Sequence, residues 1–286
     1  MKRKLYVLLL ICLSPLAYGQ NTLRPGIYFQ DMNYYNPSAV AMDTSEKYSM
    51  SIYGKQKFVE NDAEIWNKPA SLFVQHIGKI KEGKSFYSLS YLNDNYSFYT
   101  RNTVYAGYTY RKKWTKAGTL SFGGRAVLNF DRISWTKLRT PHGETGKTLK
   151  FTPDIDLGIQ YQLRGFTAGL SSKNVLGLSC RLSGEELLKN RREAYFNVSY
   201  LFRIGRNFKV APYALWYWER KTVIDGGMHF SLFNRVSISY LLRLHELRSI
   251  YAVETRIYQG LHLGVSADRS RLLPDNNLDL VLRYLF

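Results

Sequence analysis

From Lys47 to the C-terminus, apolar and polar positions alternate with a period of two. Leu120, Phe122, Gly124, Ala126, Leu128 and Phe130 interleave with Ser121, Gly123, Arg125, Val127 and Asn129. Ile155, Leu157, Ile159, Tyr161 and Leu163 interleave with Asp154, Asp156, Gly158, Gln160 and Gln162. The same rhythm runs through Phe196, Val198, Tyr200, Phe202 and Ile204, and ends in Leu278, Leu280, Leu282, Tyr284 and Phe286. Period two places one residue class on each face of a strand. One face is apolar; the other carries Gly, Ser, Asn, Gln and charge. The chain divides into fourteen strands, near 47–57, 70–79, 84–92, 100–111, 118–130, 153–163, 166–174, 194–204, 208–218, 222–233, 235–244, 248–258, 261–268 and 277–286. Arg164-Gly165, Gly205-Arg206-Asn207, Phe233-Asn234 and Gln259-Gly260 fit hairpin turns, whereas 58–69, 131–152, 175–193 and 269–276 are longer links. Tight turns at one end, long loops at the other and an even strand number match an all-β fold, a transmembrane antiparallel barrel of the outer-membrane kind.

Two soluble folds compete with it. A β-sandwich alternates as well, but turns its apolar face inward. A propeller repeats every 40–50 residues or so, and this sequence has no such repeat. Strands of about 9–11 residues are long enough to cross a bilayer when tilted. Tyr108, Tyr110, Trp114, Tyr161, Trp216, Trp218 and Tyr284 stand near strand ends, where interfacial girdles need aromatics. The terminal Tyr284 and Phe286 resemble the C-terminal signal by which such barrels reach their assembly machinery.

Composition agrees. The 286 residues include 23 Tyr, 15 Phe and 5 Trp, and 45% are hydrophobic. Mean hydropathy is −0.29, and no stretch beyond residue 19 reads as an apolar span of about 20 residues. Met1-Lys2-Arg3-Lys4, the apolar run Leu5–Leu13 and Ala17-Tyr18-Gly19 form an export signal, with Gln20 the expected mature N-terminus. Losing residues 1–19 lowers the formal charge from +18 to +15 and leaves Cys180 alone, so no internal disulfide is expected. Residues 20–46 lack alternation but hold Tyr28, Phe29, Tyr34, Tyr35, Asn36 and Pro37. Two readings stand for them: a plug in the periplasmic mouth of the barrel 47–286, or a loose periplasmic tail. Exposed aromatics are a liability, which favours the plug.

Candidate chemistry is sparse. Asp225, His229 and Ser231 share one face of a strand, with Asn234 following, but neighbours two apart on a strand lie about 7 Å from each other, too far for a Ser–His pair. The five His show no metal-ligand spacing, and no cofactor motif is present. Asp154 and Asp156 are expected to pair with Arg125 or Arg203, and Gly123, Gly124, Gly226 and Gly227 to let strands curve. Basic residues gather at Lys79, Lys81 and Lys84, at Arg111, Lys112, Lys113 and Lys116, at Lys137 and Arg139, and at Lys189, Arg191 and Arg192. In an exported barrel they suit lipopolysaccharide or a periplasmic partner rather than nucleic acid.

Several short motifs, in order, resemble the PorP/SprF membrane proteins of the Bacteroidetes type IX secretion system. They are Gln30-Asp31-Met32, Tyr35-Asn36-Pro37-Ser38-Ala39, Gly54-Lys55-Gln56-Lys57-Phe58 and Trp66-Asn67-Lys68-Pro69-Ala70-Ser71. Phe151-Thr152-Pro153-Asp154, Gly169-Leu170-Ser171-Ser172, Pro212 and Asp225-Gly226-Gly227 follow. Ala41 stands where the family often has Gly. The resemblance implies a non-enzymatic outer-membrane component supporting secretion or surface attachment of cargo, including adhesins and gliding proteins. Its implied partners are that cargo, periplasmic and outer-membrane secretion components, and outer-membrane lipid. It marks Asn36, Pro37, Trp66, Pro69, Pro153 and Asp154 as family-motif or plug positions. A channel or transporter for small or hydrophobic substrates is the alternative.

Overall fold

A computed structural model describes residues 25–26, 31–40, 46–59, 69–81, 83–96, 99–115, 117–134, 146–182, 185–218, 222–272 and 275–286. The expected export signal, Trp66, Lys116 and the basic positions Lys137 and Arg139 lie outside them. The alternation forms strands whose apolar side faces outward. Phe122, Leu128 and Phe130 are 47, 36 and 45% exposed, whereas the interleaved Ser121, Arg125 and Asn129 are 1, 3 and 3% exposed. A sandwich would show the reverse. An apolar exterior around a polar interior is the arrangement a bilayer selects.

The strands are β1 Tyr48–Val59, β2 Ala70–Lys81, β3 Ser85–Tyr96, β4 Tyr99–Lys113, β5 Gly118–Ser134, β6 Lys147–Leu163 and β7 Phe166–Lys173. A small hairpin, β8 Ser179–Leu182 with β9 Glu185–Lys189, fills the next link. Then come β10 Glu193–Tyr200, β11 Phe202–Ile204, β12 Phe208–Trp218, β13 Thr222–Leu232, β14 Val236–Arg243, β15 Arg248–Tyr258, β16 Leu261–Ser270 and β17 Asp275–Leu285. β10 and β11 form one stave, interrupted at Leu201. Pro212 on β12 stands beside the interruption and has no N–H to give; on the other flank Leu201 N–H continues the pairing with the β7 side, bonding Gly165 O at 2.8 Å. Neighbours pair antiparallel all the way round, and β1 closes on β17 from Ser49↔Leu285 to Val59↔Asp275. The result is a closed antiparallel barrel of fourteen staves. All fourteen strands read from the pattern are present.

Two features depart from the pattern. β5 and β6 each run 17 residues, well into the link expected at 131–152. The alternation fails at Arg132, which falls on the outward phase, and at Ile133, which faces inward at 5% exposure. In the fold Asp131 turns into the lumen, where Arg101 Nε meets it at 2.7 Å, while Phe130 packs on Phe151 outside at 5.2 Å. The lumen is also less polar than its sequence face suggested. Tyr53, Phe73, Leu215, Leu241, Ile250 and Val281 are all buried inward around Tyr34 and Tyr35. This interior is a packed core in its own right.

Predicted girdle residues Tyr108, Tyr110, Trp114, Trp216, Trp218 and Tyr284 are exposed on the outer wall. Leu280, at the centre of β17, is 54% exposed there, while Val281 beside it faces the lumen at 2%. Leu280→Lys is expected to lower unfolding stability by about 2–4 kcal/mol in lipid vesicles, read from urea midpoints. A loss below about 1 kcal/mol would contradict a lipid-facing position.

Candidate functional site: the segment seated in the lumen

Residues 31–40 lie inside the barrel, toward the end that carries the tight turns. A short 3-10 turn, Met32–Tyr34, starts them, with Asn36 N–H bonding Met32 O at 2.8 Å and Ala39 N–H bonding Asn36 O at 2.9 Å. Two asparagines brace this irregular backbone. Asn33 Nδ2 donates to Pro37 O and Ala39 O, and Asn36 Oδ1 accepts from Ser38 N and Ser38 Oγ. A buried segment outside regular structure must satisfy its polar groups somehow, and these side chains do so locally.

The barrel supplies the rest. Arg125 on β5 is 3% exposed and fully engaged. Its Nε donates to Asp156 Oδ2 at 2.7 Å, and its Nη1 and Nη2 donate to the carbonyls of Asn33 and Tyr34, each at 2.8 Å. The guanidinium also stacks 4.6 Å above the Tyr105 ring. Thr109 Oγ1 reaches Pro37 O at 2.7 Å, Arg111 Nη2 reaches Val40 O at 2.8 Å and Ser171 Oγ reaches Tyr35 O at 2.9 Å. Lys173 Nζ sits 4.1 Å over the Tyr34 ring. On the other side Ser51 Oγ donates to Asp31 Oδ2, and the Gln75 amide lies within bonding distance of Asp31, Asn33 and Ser90. Burial raises the Asp31 carboxyl above its ordinary value, and the Ser51 bond opposes that rise. Upstream, Gly26 N–H bonds Asp279 Oδ2 at 2.5 Å.

Glycines make the approach possible. A Cβ on Gly123 would stand 2.4 Å from Pro37 O, and one on Gly158 would stand 2.1 Å from Asn36 Oδ1. These two residues face each other across β5 and β6. Their role is close approach rather than strand curvature. The sequence held the signal, since two inward glycines fall on adjacent strands, but the register that pairs them was needed to read it.

The other singled-out residues are spread around the barrel. Pro69 opens the approach to β2, its carbonyl accepting from Lys57 N–H at 3.0 Å. Pro153 lies on the outer face of β6, above the last β6–β7 pair at Leu157↔Ser172. Ile155 O points to the β7 side, where it accepts Val175 N–H; Pro153, two residues away, faces the same side, so its missing N–H falls where β7 no longer runs. Asp154 accepts Ile155 N–H and Leu176 N–H, and Asp156 accepts Asn174 N–H besides Arg125, so the two carboxylates hold the start of the 174–192 loop. Arg203 is exposed at the rim. Tyr284 and Phe286 stack at 4.9 Å on the outer wall, and Phe286 exchanges backbone bonds with Tyr48 at the β1–β17 seam. Asp225 is held by Arg243 on β14, 3.0 Å away, and His229 Nδ1 lies 2.8 Å from Ser239 Oγ. Among the described residues no cluster of His, Cys, Asp or Glu could hold a metal.

A buried ion pair is not by itself a strong stabiliser, but breaking one by removing a partner costs about 3–5 kcal/mol. Arg125→Met and Asp156→Leu are each expected to lose about that much, and the double variant to lose at least 1 kcal/mol less than their sum. Urea unfolding of the four proteins checks this; strict additivity would place the two residues in separate networks.

The barrel is similar to the Ralstonia pickettii toluene transporter TbuX (TM-score 0.58, 10% identity, 88% of this chain and 92% of that one). It is also similar to the Pseudomonas putida toluene transporter TodX (TM-score 0.56, 9% identity, 92% and 94%). The Acinetobacter baumannii outer membrane protein Omp33 aligns with TM-score 0.52 and 9% identity over 84% and 99%. At such identities the likeness concerns fold alone. No curated protein matches the sequence. The family model of the type IX secretion system membrane protein PorP/SprF matches residues 18–277, and the chain belongs to that family.

Proposed function

We propose that this protein is a static, lumen-closed barrel that anchors type IX secretion machinery in the outer membrane, supporting secretion or surface attachment of cargo proteins, adhesins and gliding proteins among them. The observation that carries the reading is the seating of residues 31–40, whose carbonyls are held by side chains from β4, β5 and β7. A channel needs a clear lumen, whereas an anchor needs a rigid one. In this reading residues 1–19 are the cleaved export signal and residues 20–46 the plug. The outer links between β5 and β6 and between β7 and β10 contact the exported partner. Support for a firm platform comes from Arg101, which binds both Asp131 and Asn190 Oδ1, the latter at 3.0 Å, and so ties the second loop to the wall. The exposed Lys84, Lys112 and Lys113 at the tight-turn end suit lipid phosphates or an acidic periplasmic component.

Transport of small hydrophobic molecules is the second reading, favoured by the apolar inward cluster and by the toluene transporters among the similar folds. Deleting the gene in the native host and quantifying surface and secreted proteins separates the two. The anchor reading expects selective loss of proteins bearing type IX C-terminal signals; an unchanged surface with altered uptake would favour transport. In planar bilayers the intact protein is expected not to conduct. Removal of residues 20–46, or Gly158→Val, which forces Asn36 out of its seat, should open a conductance. Equal conductance before and after would refute closure by this segment.

A further inference from the structure

The sequence placed His229, Ser231 and Asn234 together without giving them a task. In the fold they line one cavity of about 270 Å³ with Arg235, Ser237, Glu254, His262 and Arg283. The residues come from β13, the β13–β14 turn, β14, β15, β16 and β17, at the tight-turn end of the barrel, so the cavity faces the periplasm. None of Ser51, Gln75, Thr109, Arg111, Arg125 and Ser171, which bond residues 31–40, lines it, although Arg283 acts on Asp31 through space.

The cavity's charges are already partly arranged. Glu254 Oε1 accepts from Arg283 Nη2 at 2.6 Å and meets His262 Nδ1 at 3.0 Å. Glu254 is 4% exposed, and its second oxygen, Oε2, is buried with no hydrogen-bond partner among the described residues. A buried carboxylate oxygen left open costs free energy until something donates to it. Arg235, in the turn, makes no ion pair among the described residues and is exposed to the cavity mouth. The wall therefore offers a cationic fork, hydroxyl and amide groups from Ser231, Ser237 and Asn234, and one unfilled acceptor.

That set discriminates between ligands. Inorganic phosphate would satisfy Arg235, but its only donor to Glu254 Oε2 is a P–O–H on the same anionic centre, which brings like charge against the carboxylate. A cation would suit Glu254 and be repelled by two guanidinium groups. What fits both is an anion that carries its own N–H donor a few ångströms away: a carboxylate preceded by a peptide amide. Arginine forks match carboxylates in bidentate geometry, and capture of a terminal carboxylate is a recurrent mode of peptide recognition. We propose that this cavity binds the carboxyl-terminal end of a periplasmic polypeptide, with the terminal carboxylate on Arg235 and a backbone N–H on Glu254 Oε2. Arg283, held by Glu254, keeps that carboxylate oriented toward the cavity.

The test uses the mature full-length protein in detergent micelles and ligand-observed NMR. The probes are N-acetyl-alanyl-alanine with a free carboxylate, its C-terminal amide, free alanine and inorganic phosphate. The free acid is expected to bind saturably with Kd of about 1 mM, as its small size allows, and the amide at least about tenfold more weakly. Arg235→Gln, a turn substitution outside the packed interior, should weaken the acid about tenfold with an unchanged unfolding midpoint. Failure of the acid to bind, or equal binding of acid and amide, would overturn the proposal. So would phosphate competing as strongly as the peptide, which would make the site an anion hole, or alanine binding more tightly, which would make it an amino-acid site. The outcome is independent of whether the barrel conducts or supports secretion.

Discussion

Closure of the hydrogen-bond ladder is the constraint on which this structure depends. In hydrocarbon no water is available to an unpaired backbone group, and each one costs several kcal/mol. A sheet can cross a membrane only when its first and last strands meet, and here β1 and β17 pair over their whole shared length, with Phe286 and Tyr48 locking the end. The exceptions are placed where they cost least. Pro212 stands beside the break at Leu201, and Pro153 turns its missing N–H to the side where β7 has ended.

Closure creates a second problem, the interior. Fourteen staves enclose more space than wall side chains of ordinary length fill, and an apolar void would forfeit packing. This chain answers with aromatic and aliphatic residues turned inward, and with its own residues 31–40. The segment is irregular because it must fit a fixed cavity, so its backbone carbonyls cannot pair in a ladder. Arg125, Thr109, Arg111 and Ser171 take them instead. The Arg125–Asp156 pair is worth little as an ion pair in the interior; its value is that it fixes two N–H groups in the direction of two carbonyls. Glycines at 123 and 158 leave room for this contact.

The fold was legible because membrane physics writes on every second residue. All fourteen strands could be read from alternation, and the tight turns followed from Gly and Asn positions such as Gly205 and Gly260, whose φ of 68° and 75° suit Gly. Where charge fell on the apolar phase, at Arg132, the pattern broke although the strand went on, with Asp131 still held in the lumen by Arg101. The lumen was harder. Tyr53, Leu215, Leu241 and Ile250 point inward against the rule, and only packing on Tyr34 and Tyr35 explains them. Asn36 and Pro37 were visible as a motif, but what they touch depends on register, as does the neighbourhood that gathers His229 and Ser231 with Glu254 and Arg283 from strands far along the chain.

Residues 31–40 are part of the folded barrel and not a tail beneath it. Hydrogen–deuterium exchange of the protein in lipid bilayers tests it directly, because the N–H groups of Asn36, Ser38 and Ala39 are bonded within the segment and shut away from water. Protection over this stretch should be comparable with that of β5 and β6. Exchange as fast as that of an unstructured peptide would contradict it.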